Sequence, residues 1–257
     1  ESVRSSLFME GGDFSTLVGL EKITTIFGSL TINSTFELVN LNGLANLVDV
    51  GWITMQYNDK LTTLDGLSGV TTLNSLTMEG NHLLTSLGGL NNLKTVTVWN
   101  VMIRDNPSLT EIGLQKLESV NDLLIIAKNN SLTSLDGLSG LISIGGTLKM
   151  YQNNNLQEFG SNGLISLKSV GGTDIYSNPA LKSIDNLDSL TTVSVGIGIS
   201  DNIALESLSG LRFLTDVGGL SVNRNTALAS CEGLDWAREH TGFWTFLENG
   251  IDCTYLN

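Results

Sequence analysis

The chain alternates between short period-two hydrophobic runs and turn-rich spacers, on a nearly fixed cycle. The stretch Leu124 to Gly146, LIIAKNNSLTSLDGLSGLISIGG, contains one whole cycle. Its pattern is L-x-I-x-x-N-x-x-L-x-x-L-x-G-L-x-x-L-x-x-I-G-G. An Asn marks each unit, at Asn58, Asn81, Asn106, Asn129, Asn153, Asn178, Asn202 and Asn225, with gaps of 23 to 25 residues. Three and five positions before each Asn lie paired side chains that are mostly apolar: Ile53/Met55, Leu76/Met78, Val101/Ile103, Leu124/Ile126, Leu148/Met150, Thr173/Ile175, Ile197/Ile199 and Leu220/Val222. Such alternation marks a strand with one buried face. Three residues after each Asn stands a Leu, from Leu61 to Leu228. A G-L pair and a third apolar stretch complete the unit.

A period near 24 residues without a long helical pattern predicts a solenoid, built from short strands that stack as parallel sheets at about 4.8 Å per coil. Ten coils are expected, the last incomplete, in a rod about 45–50 Å long. Each inward side chain contributes about 1.5–3 kcal/mol by its burial. One coil cannot cover its own apolar face, so folding requires neighbours. The Asn column should form an amide ladder, because a carboxamide can pair with backbone groups that a tight corner leaves open. Pro107 and Pro179, each directly after a ladder Asn, fit a corner. The expected single domain, 1–257, divides into degenerate coils at 6–52, with Thr35 in the Asn position, regular repeats at 53–234 and a helical cap at 235–257. In the cap, Trp236, His240, Phe243, Trp244 and Leu247 fall on one helical face, with Asp235 as N-cap and Gly250 as the terminating residue. Laid over the last coil, that helix would cover an open sheet edge.

Charge and cysteine narrow the role. Thirteen basic against 26 acidic side chains give a formal charge of −13. Nucleic acid and anionic membrane are therefore not the expected partners, since both demand clustered Lys and Arg. No apolar run approaches the roughly 18 residues of a membrane span, so no direct insertion is expected. Glu1 opens into ordinary polar sequence, consistent with a leader already removed. Cys231 sits at a core position of the last coil and Cys253 lies beyond the predicted helix. A bond between them would close a loop of about 20 residues, add roughly 3 kcal/mol and indicate an oxidising compartment. Asn33-Ser34-Thr35 and Asn129-Asn130-Ser131 are candidate glycosylation sequons at Asn33 and Asn129.

The repeat L-x-I-x-x-N-x-x-L-x-S-L-x-G-L-x-x-L-x-x-V-G-G resembles the receptor L-domain type of leucine-rich repeat, found in growth-factor-receptor ectodomains and fungal cell-surface glycoproteins. Leu76 to Val96, Leu124 to Gly146, Leu148 to Gly172 and Ile197 to Gly219 carry it, and it covers about residues 6–236. The resemblance implies an all-β, right-handed parallel β-helix that is extracellular and non-catalytic. The chain lacks the dense Cys modules of the receptors and is one long array, so it looks more like the cell-surface or cell-wall members.

Chemistry is sparse. Catalysis needs clustered carboxylates, a metal set or a proton acceptor. His82 and His240 stand far apart in sequence. Asp65, Asp136 and Asp185 share a column but lie in different coils, and Asp65-Gly66 and Asp136-Gly137 read as turns. No catalytic residue, metal site or cofactor is assigned. Binding is expected on outward strand positions, where Arg104, Lys149, Tyr151, Tyr176, Met102 and Ile125 should gather on one flat face. Aromatic, apolar and Arg groups together anchor protein or glycan partners. Two other readings are a lattice binder for ice or crystalline polysaccharide, suggested by recurring Thr pairs, and a polysaccharide-active β-helix enzyme.

Overall fold

The computed structural model describes residues 1–236 and 243–253. It is an all-β solenoid of about ten turns, its strands parallel throughout. Among the described residues, eleven strands stack along the main sheet, from Leu7–Glu10 and Thr25–Asn33 at one end to Gly219–Asn223 and Phe243–Leu247 at the other. Register is strict. The first inward column runs Leu7, Leu30, Ile53, Leu76, Val101, Leu124, Leu148, Thr173, Ile197, Leu220, Trp244. The second runs Met9, Ile32, Met55, Met78, Ile103, Ile126, Met150, Ile175, Ile199, Val222, Phe246. The 23-to-25-residue period thus brings like residues over like in successive coils.

A second, narrower ladder directly precedes the main strand of each coil, set off from it by a register shift, through pairs such as Leu73–Val96, Val96–Val120, Val120–Ile144 and Ile144–Val170. Between one main strand and the ladder residues of the next coil, short 3-10 turns such as Asp65–Leu67, Asp136–Leu138 and Ser209–Leu211 form a third edge. The Gly of each D-G-L or S-G-L turn has a steric cause. A Cβ on Gly66 would lie 1.8 Å from the carbonyl oxygen of Leu41, and one on Gly210 2.0 Å from that of Ile184. Adjacent coils are simply too close there for a side chain.

The Asn corner closes the main strand. Each ladder Asn is fully buried. Its Nδ2 donates to a strand carbonyl of the preceding coil, as Asn81 does to Met55 at 3.0 Å and Asn153 to Ile126 at 2.9 Å. Its Oδ1 accepts the N–H of the preceding coil's Asn, as Asn106 accepts from Asn81 at 3.0 Å. Thr35 fills the same place, its hydroxyl donating to Asn58 at 2.7 Å. The left-handed conformation of the corner falls one residue earlier, on Ser34, Tyr57, Gly80, Asp105, Lys128, Gln152, Ser177, Asp201 and Arg224, with φ between 55° and 67°. The Asn is there for its amide; its neighbour makes the turn.

The C-terminal end corrects the second half of the expected capping helix. Phe243–Leu247 is a strand, paired in parallel with Gly219–Asn223. Trp244 and Phe246 join the inward columns, while Phe243 and Leu247 are exposed. Asn249 extends the ladder, accepting from the N–H of Asn225 at 3.0 Å and donating to Val222 at 2.7 Å. Asp235 and Trp236 adopt a 3-10 conformation. Residues 237–242 of the expected helix, His240 included, lie outside the described residues. Trp236 packs edge-on against Trp244 at 5.4 Å. Cys231 and Cys253 are disulfide-bonded, with Cα atoms 5.9 Å apart. Cys231 occupies the column that Leu64, Leu87, Leu135 and Leu208 fill elsewhere, so the bond ties the final segment to the core.

Candidate binding face

The outward side chains of the main sheet form two columns. At mid-sheet the first carries Thr77, Met102, Ile125, Lys149 and Asp174, and the second carries Glu79, Arg104, Ala127, Tyr151 and Tyr176. The six candidate residues therefore lie on four adjacent strands, Val101–Arg104, Leu124–Ala127, Ser143–Tyr151 and Ser169–Tyr176.

Their contacts are specific. Tyr151 and Tyr176 stack with ring centroids 4.9 Å apart and planes 6° from parallel. Burial raises the pKa of the Tyr176 hydroxyl, with the neighbouring Tyr151 and Asp174 adding to it. Lys149 lies 3.6 Å from the Asp174 carboxylate on the next coil. Met102 and Ile125 are half-buried between them and Thr77.

Arg104 belongs to a network that the sequence did not single out. Glu79 is only 4% exposed. Its carboxylate accepts Nε and Nη2 of Arg104, the first at 2.8 Å. It also accepts Gln56 Nε2 at 2.8 Å and the Tyr57 hydroxyl at 3.2 Å. Burial pushes the Glu79 pKa up, but the hydrogen bonds from Arg104 and Gln56, with the Arg104 charge and Tyr57, outweigh it and hold it below its ordinary value. The Glu79 hydrogen bond raises the pKa of Arg104, and the Tyr151 hydroxyl contributes to the same shift. Ala127, fully buried, separates Arg104 from Tyr151 and leaves space for that reach. The negative Glu79 in turn raises the pKa of Tyr57. Equal register of Glu79 and Arg104 was legible from the repeat. The fold of Tyr57 toward Glu79 was not, because it follows from the left-handed backbone at that residue.

The other sequence candidates are dispersed. Asn33 sits half-buried in the second outward column. Asn129 is fully buried, its amide bonded to the carbonyl of Ile103 at 2.9 Å. This corrects its candidacy for sugar: in the folded chain its nitrogen is enclosed and engaged. Of the turn aspartates, Asp136 accepts the N–H of Asn162 at 2.6 Å, and Asp185 accepts the hydroxyl of Ser209. His82 is exposed and pairs with Asp59 at 2.9 Å. Among the described residues no His, Cys, Asp or Glu cluster is arranged to hold a metal.

No family model matches the chain. It is similar to the cell surface GPI-anchored protein ECM33 of Candida albicans, with 27% identity over 136 residues. That match covers 52% of this chain and 32% of the relative, so the chain spans about a third of that protein's length. In structure it is similar to an internalin (inlF) from Listeria monocytogenes, with 17% identity and a TM-score of 0.40 over 96% of this chain and 74% of that one.

Proposed function

We propose that the chain is a non-catalytic recognition module of a cell-surface or secreted assembly, of the receptor L-domain kind, which docks a protein partner on its flat sheet. The observation that carries this reading is the preorganised set on the mid-sheet: the Tyr151–Tyr176 stack, Arg104 held by Glu79, and half-buried Met102 and Ile125 beside them. Rigid aromatic and Arg anchors on a flat surface are what hot spots are made of. The Cys231–Cys253 bond fits an oxidising, extracellular location. Similarity to a protein described as cell-surface supports the same placement. Asn33, outward on its strand, is the sequon suited to carry sugar there.

The test is quantitative affinity capture from cell-surface extracts, comparing the native chain with the Tyr151→Ala, Tyr176→Ala double variant. A specific protein partner should be retained by the native chain and lost from the variant by about tenfold or more, since hot-spot truncations cost about 2 kcal/mol or more. Equal retention by both sinks the choice of face. A lattice-binding role is less well supported, because the outward column Thr31, Thr54, Thr77 gives way to Met102. Measurable thermal hysteresis would revive it.

A further inference from the structure

We infer that the Asn corner carries a second, separate site: a cleft for a neutral oligosaccharide with a flat carbon–hydrogen face, such as a β-linked glucose oligomer. The cleft has a volume of about 430 Å³ and follows the corner across several coils. That volume is within the roughly 300–1,000 Å³ of small-ligand sites. Its walls come from the residues just before and just after the ladder Asn. The buried Asn uses its amide inside the protein, so these neighbours carry the surface chemistry.

At one end lies the ring of Tyr57. It packs against Gly80, where a Cβ would fall 2.4 Å from the ring. Its hydroxyl is held by Glu79 at 3.2 Å, and the residue is still 50% exposed. A fixed, half-exposed aromatic ring offers an apolar surface with a polar tip. Further along stand three carboxamides, Asn130, Gln152 and Asn154. Each is exposed, and none makes a side-chain hydrogen bond among the described residues. A carboxamide donates and accepts at once, which suits hydroxyl groups.

The charges in the cleft are matched. Lys128 faces Asp105 at 3.9 Å, and His82 faces Asp59 at 2.9 Å. No unbalanced cation is offered to a phosphate or uronate. Four coil spacings separate Tyr57 from Gln152, about 19 Å at the parallel-strand distance. An occupant that touches both is a short chain of rings, with one stacked on Tyr57 and others hydrogen-bonded to the amides. Equatorial hydroxyls leave the ring faces of β-linked glucose clear for that stacking.

The experiment is an NMR titration of the whole chain with cellotetraose, α-mannotetraose and a tetramer of galacturonate. Cellotetraose should shift the side-chain amides of Asn130, Gln152 and Asn154 and bind more tightly than the other two. Tyr57→Ala should weaken it about tenfold or more, while Tyr57→Phe keeps the ring and stays within about twofold. A Gln152→Ala, Asn154→Ala double variant, distant from the Tyr57 turn, should weaken it several-fold. Tyr151→Ala, Tyr176→Ala should leave it unchanged, which separates this site from the protein-docking face. The inference is overturned if cellotetraose does not bind, if Tyr57→Ala binds it equally well, or if mannotetraose or galacturonate binds more tightly.

Discussion

Asn129 shows what a ladder residue does. Its Nδ2 donates to Ile103, and its Oδ1 accepts the backbone N–H of Asn106 at 3.2 Å, with both side chains fully buried. Asn129→Ala leaves that carbonyl and that N–H without partners, at about 1–3 kcal/mol each. Urea unfolding should therefore show a loss of roughly 2–6 kcal/mol, and a change lost in experimental error would contradict the ladder's role. Glu79 makes a pH-dependent contribution. Its folded pKa lies below the ordinary 4.5, so its stabilisation is complete above that value and disappears as pH falls through the folded pKa. Melting temperatures of the native chain should thus fall more steeply below pH 4.5 than those of Glu79→Gln. Parallel profiles would show the network to be neutral. The Asn spacing made the ladder legible in sequence because a single buried chemistry recurs at one phase. The left-handed residue before it was hidden: Tyr57, Lys128, Gln152 and Arg224 share no side-chain chemistry, only a backbone angle.

The strand Phe243–Leu247 marks the limit of periodicity as a guide. Trp244 and Phe246 stand five and three residues before Asn249, the phase of every other inward pair. The same aromatics also fit a helical face together with Trp236 and His240, and short apolar runs satisfy both periods. Pairing with Gly219–Asn223 decides between them, because one more coil covers the apolar end of Leu220 and Val222 and saturates the edge of that strand. The D-G-L turns were legible as turns, but the crowding that fixes their Gly comes from the neighbouring coil and appears only in the stack. The disulfide acts on this same final segment. Replacing both cysteines, Cys231→Ser with Cys253→Ser, should cost about 2–4 kcal/mol. Hydrogen exchange should quicken in Phe243–Leu247 and around Asn249, while Val101–Arg104 and Leu124–Ala127 stay protected. Uniform quickening along the chain would mean that the bond stabilises the whole array.

At the scale of the molecule, stability resides in interfaces between neighbouring coils. Among the described residues each strand pairs only with those of the coils beside it, so the energetics approach a one-dimensional chain of coupled units. Position in the array then matters more than the size of a cavity. Leu135 and Leu228 are both Leu core residues, with 0% and 1% exposure, but Leu135 lies mid-array and Leu228 in the last regular coil. Truncation to Ala removes about 2–5 kcal/mol of local packing at either site. At Leu135 that loss falls on a coil flanked on both sides, where opening exposes two interfaces and uncouples the two halves. Leu135→Ala should broaden or split the denaturant transition, with exchange rising in the coils on both sides. Leu228→Ala should quicken exchange only in the terminal coils and leave the main transition almost in place. The mid-sheet binding face, on strands between Val101 and Tyr176, would then be weakened by the first substitution and spared by the second. Identical unfolding profiles for the two variants would show that the rod melts as a single cooperative body, and would remove the neighbour-by-neighbour account of its stability.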